Sequence, residues 1–485
     1  MPLVTLTAGN DKAPPPAIAP GDTILGLAGN DTITASGNTE VGGNTGNDSL
    51  LGGGPGDTLY GGKGNDYIKS GAGTSFLSGD DGDDTVIAIF ADTILGGAGK
   101  DSLVAQAKSL VYGNEDADIL ISAVGATLYG GQGNDTIEGK GTGYLSGDKG
   151  NDSIVGASGD TILGREDNDV LISKGATAVY GNEGSDTLTV DATTGGANVS
   201  LYGGQGDDSL VGNQGGAILS GDKGSDILIA SPTGTKNDTL IGGDGGDSLQ
   251  GGESGDILIG GADSIPGQDT TTGNDLINGK NGADTIIAGG GGSVVSGAGG
   301  NDSIIGGAGA DSVLGGDQED VITGEAGSDT LIGWREKDIL TGGEGADYFI
   351  YVGGTFVTSA FFSDANGISP ITNLNELGID GAADSITDFE VGVDKIVLDG
   401  QGTSAIGFTN SPGIFAGLST SQTPGVAIVT SDDQRAQVTG SLIYSLQSGK
   451  LWYDDSPAAG QGTQTHFLTL QPGLTNLSSQ DFLIV

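Results

Sequence analysis

One aliphatic or aromatic residue recurs every eight or nine positions through most of this chain, and that beat constrains the fold more than any other feature. It runs through Ile24, Ile33, Val41, Leu50, Leu59, Ile68, Leu77 and Val86 and onward to Leu188. It resumes at Leu201 and at Leu240 after short insertions, then runs from Ile277 to Phe349. A helix needs an apolar residue every three or four positions, so the beat excludes amphipathic helices. With Gly-rich punctuation it reads as a very short strand plus a turn, repeated. The punctuation is heavy: 97 of 485 residues are Gly.

Ahead of many beat residues stands G-G-x-G-x-D, with the Asp two positions before the apolar residue. Intact copies are Gly61–Asp66, Gly130–Asp135, Gly203–Asp208, Gly306–Asp311 and Gly342–Asp347. Gly supplies positive φ and lets backbone carbonyls converge. Asp supplies a short carboxylate. The apolar residue points inward and its two neighbours outward, as strand alternation requires. Two such units close one coil of about 18 residues, and coils stack at roughly 4.8 Å. Like turns then lie over like turns. The acidic residues divide into 52 Asp and 12 Glu, a bias that suits tight turns and hard-cation coordination better than acidic disorder. A cation held between stacked turns gathers carbonyls and Asp carboxylates, and six to eight oxygens at that density suit Ca2+ better than Mg2+.

These nonapeptides resemble the RTX, or hemolysin-type, calcium-binding repeat family over roughly residues 5 to 349. The resemblance implies an all-β fold, a right-handed parallel β-roll solenoid, with Ca2+ as the cofactor at multiple sites. Before about residue 230 one edge of the coil carries the full turn, giving metal-ligand candidates Asp31, Asp48, Asp66, Asp84, Asp101, Asp118, Asp135, Asp152, Asp169, Asp186, Asp208 and Asp226. The other edge keeps only Asp22, Asp57, Asp92 and Asp160, so one continuous and one sparse calcium row are expected. Further on, Asp238, Asp247, Asp256, Asp275, Asp284, Asp302, Asp311, Asp320, Asp329 and Asp347 extend the candidates to both edges. Trp334 sits in a degraded turn, Gly333-Trp-Arg-Glu-Lys-Asp338, which is expected to bind poorly or not at all. Because two inward aliphatic side chains per coil make a thin core and stacked carboxylates repel, folding is expected to be calcium-driven.

The weaker half-coils follow an order of four. ILG, VGGN, LYGG, LSGD gives way to ILGG, VYGN, LYGG, LSGD and then to ILG, VYGN, LYGG, LSGD, a module present three times. It places Tyr60, Tyr112, Tyr129, Tyr180 and Tyr202 on one outward stripe with Leu25, Leu95 and Leu163. Such a stripe is either ordinary aromatic stacking along a sheet or an interaction face.

The formal charge of −47 argues against nucleic acid and against anionic membranes, whose binding needs Lys and Arg. No Cys is present and His466 is the only His, which removes disulfides, zinc-thiolate sites, cysteine nucleophiles and two-His motifs. Abundant, repeated Asp argues for coordination and not for one paired acid and base. No apolar run reaches the roughly 20 residues of a membrane helix, so no membrane insertion is expected. Met1–Pro20 lacks the basic and apolar regions of a Sec-type leader and reads as an N-terminal cap segment. With repeats starting almost at once, no separate enzyme domain is expected ahead of them.

The chain thus divides into a cap segment (1–20), an asymmetric roll in three four-coil modules (21–230), a roll with insertions (231–348) and a C-terminal part (349–485). The last part carries Ala383–Phe389, Gly392–Val397, Leu442–Tyr444, Gly449–Asp454 and the ending Leu477–Val485. It resembles the domain that follows RTX repeats in serralysin-like and many cyanobacterial secreted proteins. That implies a cap and an uncleaved type I secretion signal, with the type I secretion machinery as partner. Asp384, Asp388 and Asp394 are either a further ion site or turn residues. The expected function is a secreted, non-catalytic, cell-surface protein: an S-layer, sheath or filament component. The alternative is an adhesin using the Tyr/Leu face. Self-association or a cell-surface polysaccharide are the expected contacts.

Overall fold

Each beat residue centres a short strand whose flanking residues face outward. In Thr85–Ile87, Val86 is buried while Thr85 and Ile87 are partly exposed. From Ile24 to Phe349 every beat residue is at most 2% exposed, while some flanking positions, among them Ser146, Ser296 and Leu314, are buried as well. These assignments come from a computed structural model, which describes residues 3–13, 19–175, 178–191, 199–213, 215–234, 236–261, 273–352, 384–399, 426–429, 431–432, 442–454 and 464–484.

A strand this short cannot hold itself, so it pairs with its equivalent one coil away. Thr85, Val86 and Ile87 lie beside Ser102, Leu103 and Val104, and these beside Ile119, Leu120 and Ile121, all parallel and in register. Alternate strands enter two different sheets. One sheet takes six-residue strands such as Leu110–Glu115 and Thr127–Gln132, the other shorter ones such as Ser102–Ala105 and Thr136–Glu138. The repeat between paired strands is 17 or 18 residues in Asp48, Asp66, Asp84 and Asp101, and grows to 22 and 28 where insertions fall, as between Asp186 and Asp208 and between Asp256 and Asp284. This is a parallel β-roll, and between its sheets lies a core about one aliphatic side chain deep.

The chain separates into two compact units, Met1–Ser231 and Pro232–Val485. The second unit repeats the architecture. Ile304 pairs with Ile322 and Ile322 with Leu340 in one sheet, while Val295, Val313, Leu331 and Phe349 stack in the other. Both sheets then run on past the repeats. Asp384–Ile386 adds to the first, and Lys395–Asp399 with Phe482–Ile484 to the second. An antiparallel set, Leu442–Ser445, Lys450–Asp454 and Gln464–Thr469, joins Asp384–Ile386. Tyr444, Phe349 and Phe389 are buried there, larger side chains than the repeats use. His466 uses Nε2 on the Leu468 carbonyl (2.9 Å) and Thr469 Oγ1 (3.2 Å), beside the Trp452 ring. Among the described residues no helix is long and apolar enough to cross a membrane.

Candidate metal centre

The turn Gly61–Asp66 shows how the sequence builds a coordinating edge. Gly62 and Gly64 have φ of +107° and +112°, a region costly for residues with a Cβ. Those two glycines reverse the chain and bring Asp66 back beneath Gly61. A Cβ on Gly61 would collide with the Asp66 carboxylate and sit 2.6 Å from the Gly79 carbonyl of the next coil. Glycine therefore leaves open a space faced by a carboxylate oxygen and a main-chain carbonyl. The same space recurs beside Gly43, Gly79, Gly96, Gly130 and Gly181.

The two oxygens of each turn Asp have different fates. Oδ1 of Asp66 accepts from the backbone N–H of Asp48 (2.6 Å), and Oδ1 of Asp84 from that of Asp66 (2.7 Å). This ladder continues through Asp101, Asp118, Asp135, Asp152, Asp169, Asp186, Asp208 and Asp226. The second oxygen is buried and makes no hydrogen bond in Asp31, Asp48, Asp66, Asp84, Asp101, Asp118, Asp135, Asp152, Asp169, Asp186 and Asp208. An ionised oxygen without a partner in a buried site is expensive. A row of them facing carbonyls is an acceptor-only environment, the donor set that a hard cation satisfies.

Electrostatics point the same way. Burial pushes the Asp118, Asp169 and Asp208 carboxyls up to about 8 and those of Asp66, Asp84, Asp101 and Asp152 to about 7. The backbone N–H bond on Oδ1 opposes this shift, and neighbouring carboxylates in the row add to it. A divalent ion beside these oxygens would offset both causes, because its charge favours the ionised form. Among the described residues no three acidic side chains converge on one point, so the carboxylates arrive coil by coil and the remaining oxygens are carbonyls.

The opposite edge of the first unit is built differently. Asp57 Oδ1 accepts from Thr39 N–H, but its Oδ2 accepts from Gly53 and Gly54 of its own turn. Asp160 Oδ2 accepts from Ala157, and Asp22 Oδ2 from Ala19. Here the carboxylate closes its own turn.

The second unit carries two ladders. One runs Asp238, Asp256, Asp284, Asp302, Asp320, Asp338 and Asp384. The other runs Asp247 to Asp275, passes Ser293, and continues Asp311, Asp329, Asp347 and Asp394. Second oxygens of Asp284, Asp302, Asp311, Asp320, Asp329 and Asp347 are buried without a hydrogen bond. Asp256 differs: its Oδ2 accepts from Gly252 (2.7 Å), in a turn whose fourth residue is Ser254 and not Gly. Asp338, in the turn expected to bind poorly, also has a buried second oxygen with no hydrogen bond. Its Gly333 keeps the open space, Trp334 takes the left-handed conformation (φ +95°), and Arg335 pairs with Asp317 on the outside. The signal for Asp338 was its spacing, two residues before Leu340. Asp384, Asp388 and Asp394 do not form a cluster: Asp388 accepts from Gly342 and Gly343, and Asp394 Oδ2 from Glu390.

The outward stripe falls in one register column. Leu95, Tyr112, Tyr129, Ser146, Leu163 and Tyr180 are neighbours in turn, followed by Tyr202. Tyr112 stacks on Tyr129 (5.1 Å, 9°) and Tyr180 on Tyr202 (5.0 Å, 8°), while Tyr60 tilts against Phe76.

A family model of the RTX calcium-binding nonapeptide repeat matches residues 21–39, 42–77, 60–88, 89–107, 127–143, 139–171, 180–219, 232–264, 269–292, 289–322, 296–331 and 314–349. The repeats define the class, a calcium-binding β-roll. The chain belongs to the RTX calcium-binding repeat family, and Ca2+ is the ion its repeats bind. Asp118 and Asp226 lie outside the matched spans but in the same ladder. No curated protein matches the chain.

Proposed function

We propose that this chain is a secreted, non-catalytic β-roll whose folding is driven by calcium and which serves as a structural component at a cell surface, in an S-layer, sheath or filament. The observation that carries the calcium half is the continuous row of buried second oxygens from Asp31 to Asp208. The residues of that row and its counterparts in the second unit would hold the ions, together with the carbonyls they face. Calcium would supply the positive charge that lets like-charged turns stack, offsetting a formal charge of −47. The structural half is supported by the repeat itself, since solenoids present long, regular surfaces. Export through the type I machinery is supported by the secretion typical of RTX repeat proteins, and the serralysin-like C-terminal motifs are its proposed signal.

A second reading, adhesion to a surface polysaccharide, is favoured by one feature. An open depression of about 420 Å³ lies over Tyr112 and Tyr129, bordered by Asn114, Gln132, Asp148 and Lys149. The deciding experiment for the first reading is far-ultraviolet circular dichroism of the full chain during calcium addition, with electron microscopy of the same samples. β-Structure appearing with calcium, alongside sheets or fibres, is expected. Full β-structure in excess chelator at neutral pH would remove the calcium-driven part, and dispersed particles with calcium the structural part.

A further inference from the structure

The sheet of shorter strands in the first unit, opposite the Tyr stripe, has an outer face that bears on self-association. From Ser49–Leu51 to Ile227–Ile229, the positions on either side of the beat residue carry only two charges, Lys69 and Glu138, of opposite sign. This is an electrically balanced strip on a chain of formal charge −47. The column that holds both charges is otherwise mostly Ile, Val and Leu, kept in register by the parallel pairing. Beside it Ile119 is 47% exposed, and at the adjoining corner Phe90 and Val124 are 45% and 53% exposed.

The order of this column is self-complementary. Lys69, Ile87, Val104, Ile121 and Glu138 occupy successive coils, so Val104 stands midway between the two charges. A two-fold axis along the strand direction at Val104 turns one roll over onto another and keeps the column facing itself. Lys69 then meets Glu138 of a second copy, twice, and Ile87 meets Ile121. Val104 meets its own equivalent, and Leu51 meets Val155. Ridges spaced at roughly 4.8 Å match another sheet of the same spacing. Within its own chain Glu138 is contacted by Lys140, which lies beyond the strand at the corner.

We propose that this face joins two copies of the chain, antiparallel and sheet to sheet, centred on Val104 with Lys69 and Glu138 pairing across the interface. The inference rests on the self-assembling reading above and names the face that carries it. Overlap from Thr32–Thr34 to Val170–Lys174 is about 40 Å long and about 11 Å wide. That buries roughly 900 Å² in total, between typical crystal contacts and standard interfaces, which fits a micromolar dimer.

Sedimentation of the calcium-loaded full chain tests this. Wild type is expected to dimerise in the micromolar range. Lys69→Glu or Glu138→Lys alone weakens the dimer about tenfold by placing like charges opposite each other twice, and the double exchange restores it. Val104→Glu gives a monomer. Circular dichroism of each calcium-loaded variant matching wild type separates these effects from misfolding. A double exchange as weak as the singles overturns the register, and wild-type assembly with Val104→Glu overturns the face, both leaving the scaffold reading intact. Loss of assembly in Tyr112→Ser/Tyr129→Ser, with Val104→Glu unaffected, moves the contact to the other sheet. A wild-type monomer at every concentration overturns the dimer and the self-assembling reading together.

Discussion

The two edges of the first unit use the same residue for different ends. Asp118 and Asp160 are both buried, and each accepts a backbone N–H from the preceding coil through Oδ1. The difference lies in the turn ahead of them. In the six-residue turn of the dense edge, Gly113 leaves a space into which Asp118 Oδ2 projects toward the Gly130 carbonyl. In the other edge Ala157 N–H donates to Asp160 Oδ2 at 2.7 Å and closes the turn without an ion. A β-roll can thus be closed by metal on one side and by peptide donors on the other.

The largest test of that contrast is to replace the ion by protons. In the metal-free chain, burial raises the dense-edge carboxyls between Asp66 and Asp208 from 3.8 to between about 6 (Asp135, Asp186) and about 8 (Asp118, Asp169). A carboxyl whose folded pKa lies above its unfolded one contributes stability that is complete below the unfolded value and is lost as pH rises through the folded value. Metal-free protein should therefore gain β-structure as pH falls from 8 to 4 and lose it again on return. Circular dichroism in chelator across that range checks this, and a flat profile would contradict it. Calcium affinity, measured by titration calorimetry, should fall over the same range with proton release on binding, because both compete for one oxygen.

A narrower test substitutes one Asp on each edge. Asp118→Asn should lower the calcium stoichiometry found by native mass spectrometry by one or two ions and shift the calcium midpoint upward. Asp160→Asn should leave the stoichiometry at the wild-type value and cost about 1–2 kcal/mol of stability through a lost acceptor. Equal stoichiometry losses would erase the distinction between the edges.

Smaller still is the response to a methyl group. Gly130→Ala puts a Cβ into the Asp135 carboxylate and 2.6 Å from the Gly147 carbonyl, so it should weaken calcium binding. Gly125, at φ +78°, has nothing nearer than Thr142 Oγ1 at 3.6 Å. Its replacement should cost about 1 kcal/mol from the left-handed backbone alone and leave calcium binding unchanged. Calcium titrations of the two variants side by side make the comparison.

What the amino-acid sequence determines by itself is local in origin. The nine-residue beat, the glycines at positive φ and the Asp two residues before each beat position act within one turn or one strand. The strand positions, the buried beat residues of each unit and the stacking of like turns follow from them. Asp338 is legible by the same spacing, although the degraded letters around it suggest otherwise.

What only the tertiary structure decided was which oxygen of each carboxylate keeps a partner and which surfaces share a face. Asp118 Oδ1 takes the Asp101 N–H of the coil before, while its Oδ2 faces the Gly130 carbonyl of the coil after. The placement of Lys69 and Glu138 in one outward column depends on the register between coils, and so does the stacking of Tyr112 on Tyr129. The physical reason is range. A turn's conformation is set by the residues inside it, whereas a buried oxygen's partner or a column's neighbour comes from a coil 17 or 18 residues away. That distance is fixed only when the coils stack.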